Sequence, residues 1–266
     1  MADNRIGMNL VTLKNGLDAG ALLGNLDRVS QAGFQSVGVW VSTVAQWKES
    51  RRSVSDLAKE IEDRNLAVDE LCFVGVLNAD GTVADRRREF EWASELGAPA
   101  VIGIIGDPGA PLDKVREDWG EFVRRVEDIG VAAAFEFIGS WAQYNSPARA
   151  WEVIQAGPEL GTMVFDTFHF WRGGCDLTEI EQVPGQRVSL VHLNDVKDVP
   201  RGQATDSDRT YPGRGVIPLG EILGRLIAGG FTGPLSMEIF GEVQQRDPDE
   251  VCRRAHRAAT KLVAGL

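Results

Sequence analysis

The sequence predicts an α/β fold, a single (β/α)8 TIM barrel over residues 1–266. Short apolar segments alternate with amphipathic segments along the chain, as strands and helices do in βα repeats. Eight such units in this length would have about 33 residues each, the usual size of one repeat. No Pro- or Ser-rich linker and no block of charge divides the chain. These three observations together favour one closed barrel.

The strands are predicted from apolar runs without polar alternation, which are typical of parallel strands buried on both faces. In chain order they are residues 5–10, 36–41, 67–74, 100–105, 131–137, 162–165, 188–193 and 234–239. An open doubly wound sheet is the alternative. It would carry a glycine-rich phosphate turn after its first strand, and Leu10-Val11-Thr12-Leu13 is not such a turn.

Helices are predicted between the strands from apolar residues spaced three or four apart. Gly33 and Gly97 are expected to end two of them. The clearest helices are the one with Leu22, Leu23, Leu26 and Val29, the segments 56–64 and 86–96, the stripe Val115, Trp119, Phe122, Val123 and Val126, and the last helix with Val251, Ala255, Ala258 and Leu262.

The composition of the chain argues against several classes of function. The chain has 39 acidic and 28 basic side chains, a net charge of −11 and a pI near 4.8. This charge argues against binding to nucleic acid or to anionic lipid. No apolar run approaches the roughly 20 residues of a membrane span, and no leader is visible at residues 1–5. Three widely spaced cysteines do not make a disulfide framework. We therefore expect a cytoplasmic protein that binds neither membranes nor nucleic acid.

Four polar residues stand at the ends of four consecutive predicted strands: Glu136, Asp166, His192 and Glu238. Active sites of such barrels lie at the C-terminal ends of the strands, so these side chains should meet there. Three carboxylates at close range need protons or a cation. Oxygen ligands with one imidazole suit Mn²⁺ best, with Mg²⁺, Co²⁺ and Zn²⁺ as alternatives. The sequence therefore predicts one divalent metal ion.

The motifs around these residues resemble the xylose-isomerase-like barrel superfamily, which includes ketose 3-epimerases, hydroxypyruvate isomerase and inosose-processing enzymes. The segment Tyr211-Pro212-Gly213-Arg214-Gly215 resembles that family's Pro-Gly-x-Gly motif. The motifs that carry the resemblance are Glu136, Asp166 with Thr-Phe-His169 after it, His192 in His-Leu-Asn-Asp, and Glu238 in Met-Glu-Ile-Phe-Gly.

The resemblance implies that the four strand-end residues are metal ligands and that Glu136 and Glu238 are also the acid–base pair, on opposite faces of the substrate. It implies that His169 hydrogen-bonds a substrate carbonyl or hydroxyl. Ketose 3-epimerases carry an arginine and a glutamate where this chain has Asp198 and Ala142. The metal ligands match, whereas the residues around the substrate differ.

Aromatic and basic residues near the strand ends are further candidates for substrate contacts. Aromatic faces can pack on the C–H surface of a sugar, and an arginine can hold a carboxylate or phosphate. We select Trp171 and Arg201 as substrate-binding residues. The other candidates after strand ends or in the loop after the seventh strand are Trp40, Trp47, Trp141, Arg209 and Arg214.

Metal-assisted proton transfer beside the carbonyl of a ketose or keto-polyol is the leading functional hypothesis. Return of the proton to the same carbon gives an epimerase, return to the neighbouring carbon gives an isomerase, and loss of a β-hydroxyl gives a dehydratase. These outcomes, the choice of free or phosphorylated carbohydrate, and a homo-oligomeric state stay open. A DNA-cutting relative would need many histidines, and the chain has 3. A non-catalytic sugar-binding or regulatory barrel is the alternative outside the enzymes.

Overall fold

Eight parallel strands close into a barrel in the computed structural model, which describes residues 5–266. Each strand pairs with its neighbours in sequence, and the last pairs with the first. The predicted TIM barrel is therefore confirmed. The prediction of no leader concerns residues 1–4 as well, and these lie outside the described part. The strands are β1 (Ile6–Asn9), β2 (Ser36–Trp40), β3 (Ala67–Gly75), β4 (Ala100–Ile104), β5 (Ala132–Glu136), β6 (Gly161–Asp166), β7 (Val188–Leu193) and β8 (Leu235–Met237).

Helices surround the barrel and connect the strands. Two of them lie between β2 and β3. The connection from β7 to β8 is long and carries a two-stranded antiparallel ribbon, Asp195–Val196 with Arg209–Thr210. The helices are α1 (Leu22–Gln31), α2 (Val41–Glu49), α3 (Val54–Glu62), α4 (Arg87–Leu96), α5 (Leu112–Val126), α6 (Pro147–Ile154), α7 (Thr167–Arg172), α8 (Leu219–Ala228) and α9 (Pro248–Val263).

The core has two layers that follow from the strand alternation. Outward-facing strand residues pack on the helices, as where Trp119 of α5 meets Phe135 of β5 edge-on at 5.0 Å. Inward-facing residues fill the barrel with a second, smaller cluster: Cys72, Ala100, Ile102, Ala134, Val164 and Leu190. This apolar floor supports the polar residues at the C-terminal ends of the strands.

Within residues 5–266, none of the helices combines the length and the apolar character that crossing a membrane requires.

Candidate metal centre

The four strand-end residues lie together at the C-terminal end of the barrel. Glu136 and Asp166 are the last residues of β5 and β6, and Glu238 directly follows β8. His192 lies one residue before the end of β7, where it is in register with Asp166. One ligand atom from each of the four lies within 4.8 Å of the others. The sequence pattern thus corresponds to one compact cluster.

The His192 ring is the centre of this cluster. Its Nδ1 lies 3.3 Å from Glu136 Oε1, 3.4 Å from Glu238 Oε2 and 3.9 Å from Asp166 Oδ2. His192, Asp166 and Glu238 are buried, whereas the Glu136 side chain retains 12% exposure. Glu136 is therefore the carboxylate most accessible from outside.

Burial and mutual repulsion set the protonation of the cluster. Burial raises the pKa of Glu238 to about 8, although His192 and Arg209 attract its charged form. Burial tends to raise the pKa of Asp166, but the charges of Arg209, His169 and His192 together outweigh burial, and the net shift of this pKa is downward. Burial tends to lower the pKa of His192. The charges of Glu238 and Glu70, together with hydrogen bonds to Cys72 and Glu136, outweigh burial and hold this pKa well above its usual value. Both raised pKa values favour the protonated forms of Glu238 and His192 when no cation is bound.

Arg209 reaches the cluster from the ribbon between β7 and β8. Its Nη1 lies 2.7 Å from Asp166 Oδ2 and 3.2 Å from Glu238 Oε2, and the side chain is 2% exposed. Its guanidinium lies over the rings of Phe168 and Phe240, at 4.7 and 5.0 Å. This is the arginine that contacts the cluster.

The donor set fits a divalent metal ion. Arg209 offsets one of the three carboxylate charges, and a divalent cation would offset the other two. His192 Nδ1 faces the same point as the carboxylate oxygens, and an imidazole with oxygen ligands is a donor set of Mn²⁺, Co²⁺ and Zn²⁺ sites. The buried anions therefore have a physical reason to lie together.

A cavity of about 190 Å³ opens beside the cluster. Glu136, Glu238 and His169 line it, with Trp40 and Phe73 on the wall. Within residues 5–266, the buried Nδ1 of His169 has no hydrogen-bond partner, while its Nε2 lies 3.5 Å from Arg209 Nη2. Burial lowers the pKa of His169, which favours its neutral form.

Of the other candidates for substrate contacts, Trp40 and Arg209 also line this cavity, whereas the remaining ones do not. The Arg201 guanidinium stacks over the ring of Trp171 at 5.2 Å, and neither residue lines this cavity. Trp47 is buried in the core. The substrate-binding roles of Arg201 and Trp171 remain predictions. Of the three residues selected for substrate binding, His169 lines the cavity.

Several further side chains contact the cluster. The sequence indicates Arg209 only as a candidate for substrate contacts, and it does not select Glu70 of β3, Asn9 at the end of β1 or Asn194 after β7. The Asp69-Glu70 pair inside an otherwise apolar strand is a signal that could have drawn attention to Glu70.

The model of the xylose isomerase-like TIM barrel family matches residues 26–262. The chain belongs to this family. Among similar proteins, an inosose isomerase of Bacillus velezensis is 28% identical over 80% of this chain and 81% of its own. One of Halalkalibacterium halodurans is 33% identical over 65% of each chain. A 3-dehydroshikimate dehydratase of Pseudomonas aeruginosa is 24% identical over 84% of this chain, which spans only 37% of that protein.

Solved structures show the same fold. The IOLI protein with a binding zinc atom has a TM-score of 0.85 at 21% identity, with 98% of both chains covered. An L-ribulose 3-epimerase has a TM-score of 0.78 at 19% identity, with 98% of this chain and 95% of that chain covered. Together, the relatives confirm the prediction of an isomerase-class enzyme, with dehydratases among the matching proteins.

Proposed function

We propose that the protein is a divalent-metal-dependent isomerase or epimerase of a keto-polyol or ketose, and that inosose-like keto-polyols are its substrate class. One observation carries the proposal: the two carboxylates Glu136 and Glu238 line a single cavity beside a set of metal donors. The inosose isomerases among the relatives support the substrate class. The cytoplasmic location remains a prediction from the sequence.

Glu136, Asp166, His192 and Glu238 would hold the metal, for which we propose Mn²⁺ because oxygen ligands predominate. When bound, the ion would supply Lewis-acid stabilisation of charge on the substrate oxygens. The donor set would also accept Zn²⁺ or Co²⁺. Metal analysis of the purified protein distinguishes these ions.

The side chains of the cavity would transfer protons and hold the reacting groups in place. Glu136 and Glu238 come from β5 and from the end of β8, so that they can approach a bound substrate from two sides. One would remove the proton from the carbon beside the carbonyl, and the other would return a proton. The unpartnered Nδ1 of His169 would hydrogen-bond a substrate oxygen. Arg209 would keep the carboxylates of Asp166 and Glu238 in place.

A dehydratase is the second candidate, because matches to 3-dehydroshikimate dehydratases extend over 84% of this chain. In this reaction one glutamate would take the proton beside the carbonyl, and the β-hydroxyl would leave as water with a proton from the other acid. The same cavity residues would serve both reactions. Product analysis decides between them.

Solvent-deuterium incorporation tests the proposed function. Metal-loaded and chelator-stripped protein would be incubated in D2O with inososes, free ketoses and keto acids, and followed by NMR. We expect deuterium at the carbon beside the carbonyl of a keto-polyol with the loaded protein alone. Glu136→Gln should abolish incorporation, whereas Glu242→Gln, which alters an exposed carboxylate paired with Lys197, should not. Incorporation that survives both chelation and Glu136→Gln would refute the proposal.

A further inference from the structure

The two ring nitrogens of His192 face two different groups of side chains. Nδ1 faces the carboxylates of the metal centre, at 3.3 Å from Glu136 and 3.4 Å from Glu238. On the other side of the ring, Nε2 donates a hydrogen bond to Glu70 Oε2 at 2.7 Å. Both His192 and Glu70 are buried in the barrel. The orientation of the ring therefore depends on a residue outside the metal centre.

The Glu70 carboxylate is itself held in place. Its Oε1 accepts hydrogen bonds from Ser236 Oγ at 2.8 Å and from Asn9 Nδ2 at 3.1 Å. Gly38 on β2 makes room for it, because a Cβ at this position would collide with Glu70 Oε1. Asn9 Nδ2 also lies 3.4 Å from Glu238 Oε1, so that it bridges Glu70 and a predicted metal ligand.

Glu70, Cys72 and His192 also place three potential metal ligands within 4.8 Å of one another. The hydrogen bonds argue against a second ion at this place. The Asn9 amide donates hydrogen bonds to Glu70 Oε1 at 3.1 Å and to Cys72 Sγ at 3.3 Å. An N–H group therefore points at two of the atoms that would have to bind the ion. The His192 N–H points at the remaining Glu70 oxygen. Hydrogen bonds thus close the group where a cation would need free lone pairs.

We propose that Glu70 is a positioning residue for the metal centre: its carboxylate accepts a hydrogen bond from the Nε2–H group of His192 and so turns Nδ1 towards Glu136, Asp166 and Glu238. The proposal rests on the proposed function in that it takes Nδ1 as a metal ligand. A carboxylate partner on the second nitrogen fixes the tautomer of a ligating histidine and makes it a stronger ligand. Loss of such a partner lowers metal affinity about 10- to 100-fold.

Zn²⁺ titration of the full chain against a chromophoric chelator tests this. Glu70→Gln keeps the size of the side chain and an acceptor oxygen but removes the charge. We expect its Kd for Zn²⁺ to rise about 10- to 100-fold. The matched control is Asp69→Asn, since Asp69 is equally buried on the same strand but binds Arg5 and Ser36 instead of His192. The Kd of this control should stay within about twofold of the wild-type value, well below the change expected when a ligating histidine loses its hydrogen-bond partner.

NMR of the imidazole nitrogens gives a second readout, which a general loss of stability would not mimic. The chain has 3 histidines, so the ¹⁵N spectrum is simple to assign. The Zn²⁺-loaded wild type should show His192 with a protonated Nε2 whose proton resonates far downfield, and this proton should move upfield in Glu70→Gln. If Glu70→Gln does not fold, Glu70→Asp keeps the charge, withdraws the carboxylate by one methylene, and should give the same two changes.

Wild-type affinity together with an unshifted Nε2 proton in the Glu70 variant would overturn the proposal. Because the titration needs no substrate, its outcome is separate from that of the activity screen. Weakened Zn²⁺ binding in Glu70→Gln supports the role of Glu70 even if no keto-polyol exchanges its proton, a result that would refute the proposed function alone.

Discussion

The substitution Asp166→Asn distinguishes the contribution of Asp166 to metal binding from its contribution to the stability of the local fold. Asp166 Oδ1 accepts the His169 N–H at 3.0 Å and caps α7, while Oδ2 contacts Arg209 at 2.7 Å and faces His192. Asparagine keeps the shape and the capping oxygen but removes the charge. Without metal, we expect the free energy of unfolding to fall by about 1.5 to 3 kcal/mol, the contribution of a hydrogen bond to a charged group.

The effect on metal-induced stabilisation should be larger. At a free metal concentration of about 100 times Kd, binding adds about 2.7 kcal/mol to the free energy of unfolding. For a chain of this size, that raises Tm by about 5 to 10 °C. Loss of a charged ligand should raise Kd at least about 100-fold, which leaves about 0.4 kcal/mol of stabilisation and a Tm shift of about 1 °C.

Differential scanning calorimetry with chelator and with Mn²⁺ measures both quantities. Asp206→Asn is the matched control, because Asp206 also pairs with Arg209 at 2.7 Å but lies outside the donor set. It should keep the full metal-induced shift. If Asp166→Asn also kept it, Asp166 would not be a metal ligand.

Three further predictions concern the same cavity. His169→Asn should keep the metal-induced Tm shift but lower kcat/KM at least about tenfold in steady-state kinetics; loss of the metal would make His169 a ligand. Glu238→Gln should lower kcat by about 10²- to 10⁴-fold yet keep the solvent exchange that Glu136 catalyses, measured by NMR; near-normal turnover would exclude Glu238 as an acid or base. Metal affinity should rise with pH between about 6 and 8. Glu238 and His192 must lose protons to bind the metal, and the pKa values of both are raised. A metal affinity that calorimetry finds unchanged over this pH range would contradict the prediction.

Most of the barrel could be predicted from the sequence, because strand burial on both faces leaves a local pattern. The β7 strand has its predicted bounds, Val188–Leu193. The predicted segments 131–137 and 234–239 are longer than β5 and β8, since Phe137 and Ile239 are buried after the strand pairing has ended.

Some helices lack the local signals on which sequence interpretation depends. The N-cap of α2 is Trp40, which makes no side-chain capping bond, and the helix directly follows β2. The short α7 is capped by Asp166, a residue that the sequence assigns to the metal centre. In both cases the end of a strand is also the start of a helix, and no turn residues separate them.

Some residues of the candidate site could likewise be predicted from the sequence, whereas others could not. Glu136 and its three partners could be predicted because a position at the end of a strand is a local property. Arg209 could not be distinguished from Arg201, because both lie in the connection after β7. The pairing of Asp195 with Thr210 in the ribbon decides which arginine reaches the cavity. Similarly, the alternation of β3 decides that Glu70, and not Asp69, contacts His192.

We propose that one metal ion joins the ends of four consecutive strands, β5 to β8. Anomalous diffraction from crystals grown with Mn²⁺ tests it most directly, with data collected above and below the manganese edge. We expect one strong anomalous peak within bonding distance of Glu136, Asp166, Glu238 and Nδ1 of His192. A peak between Glu70 and Cys72 instead, or no peak at the four strand ends in crystals whose protein binds Mn²⁺ in solution, would contradict it.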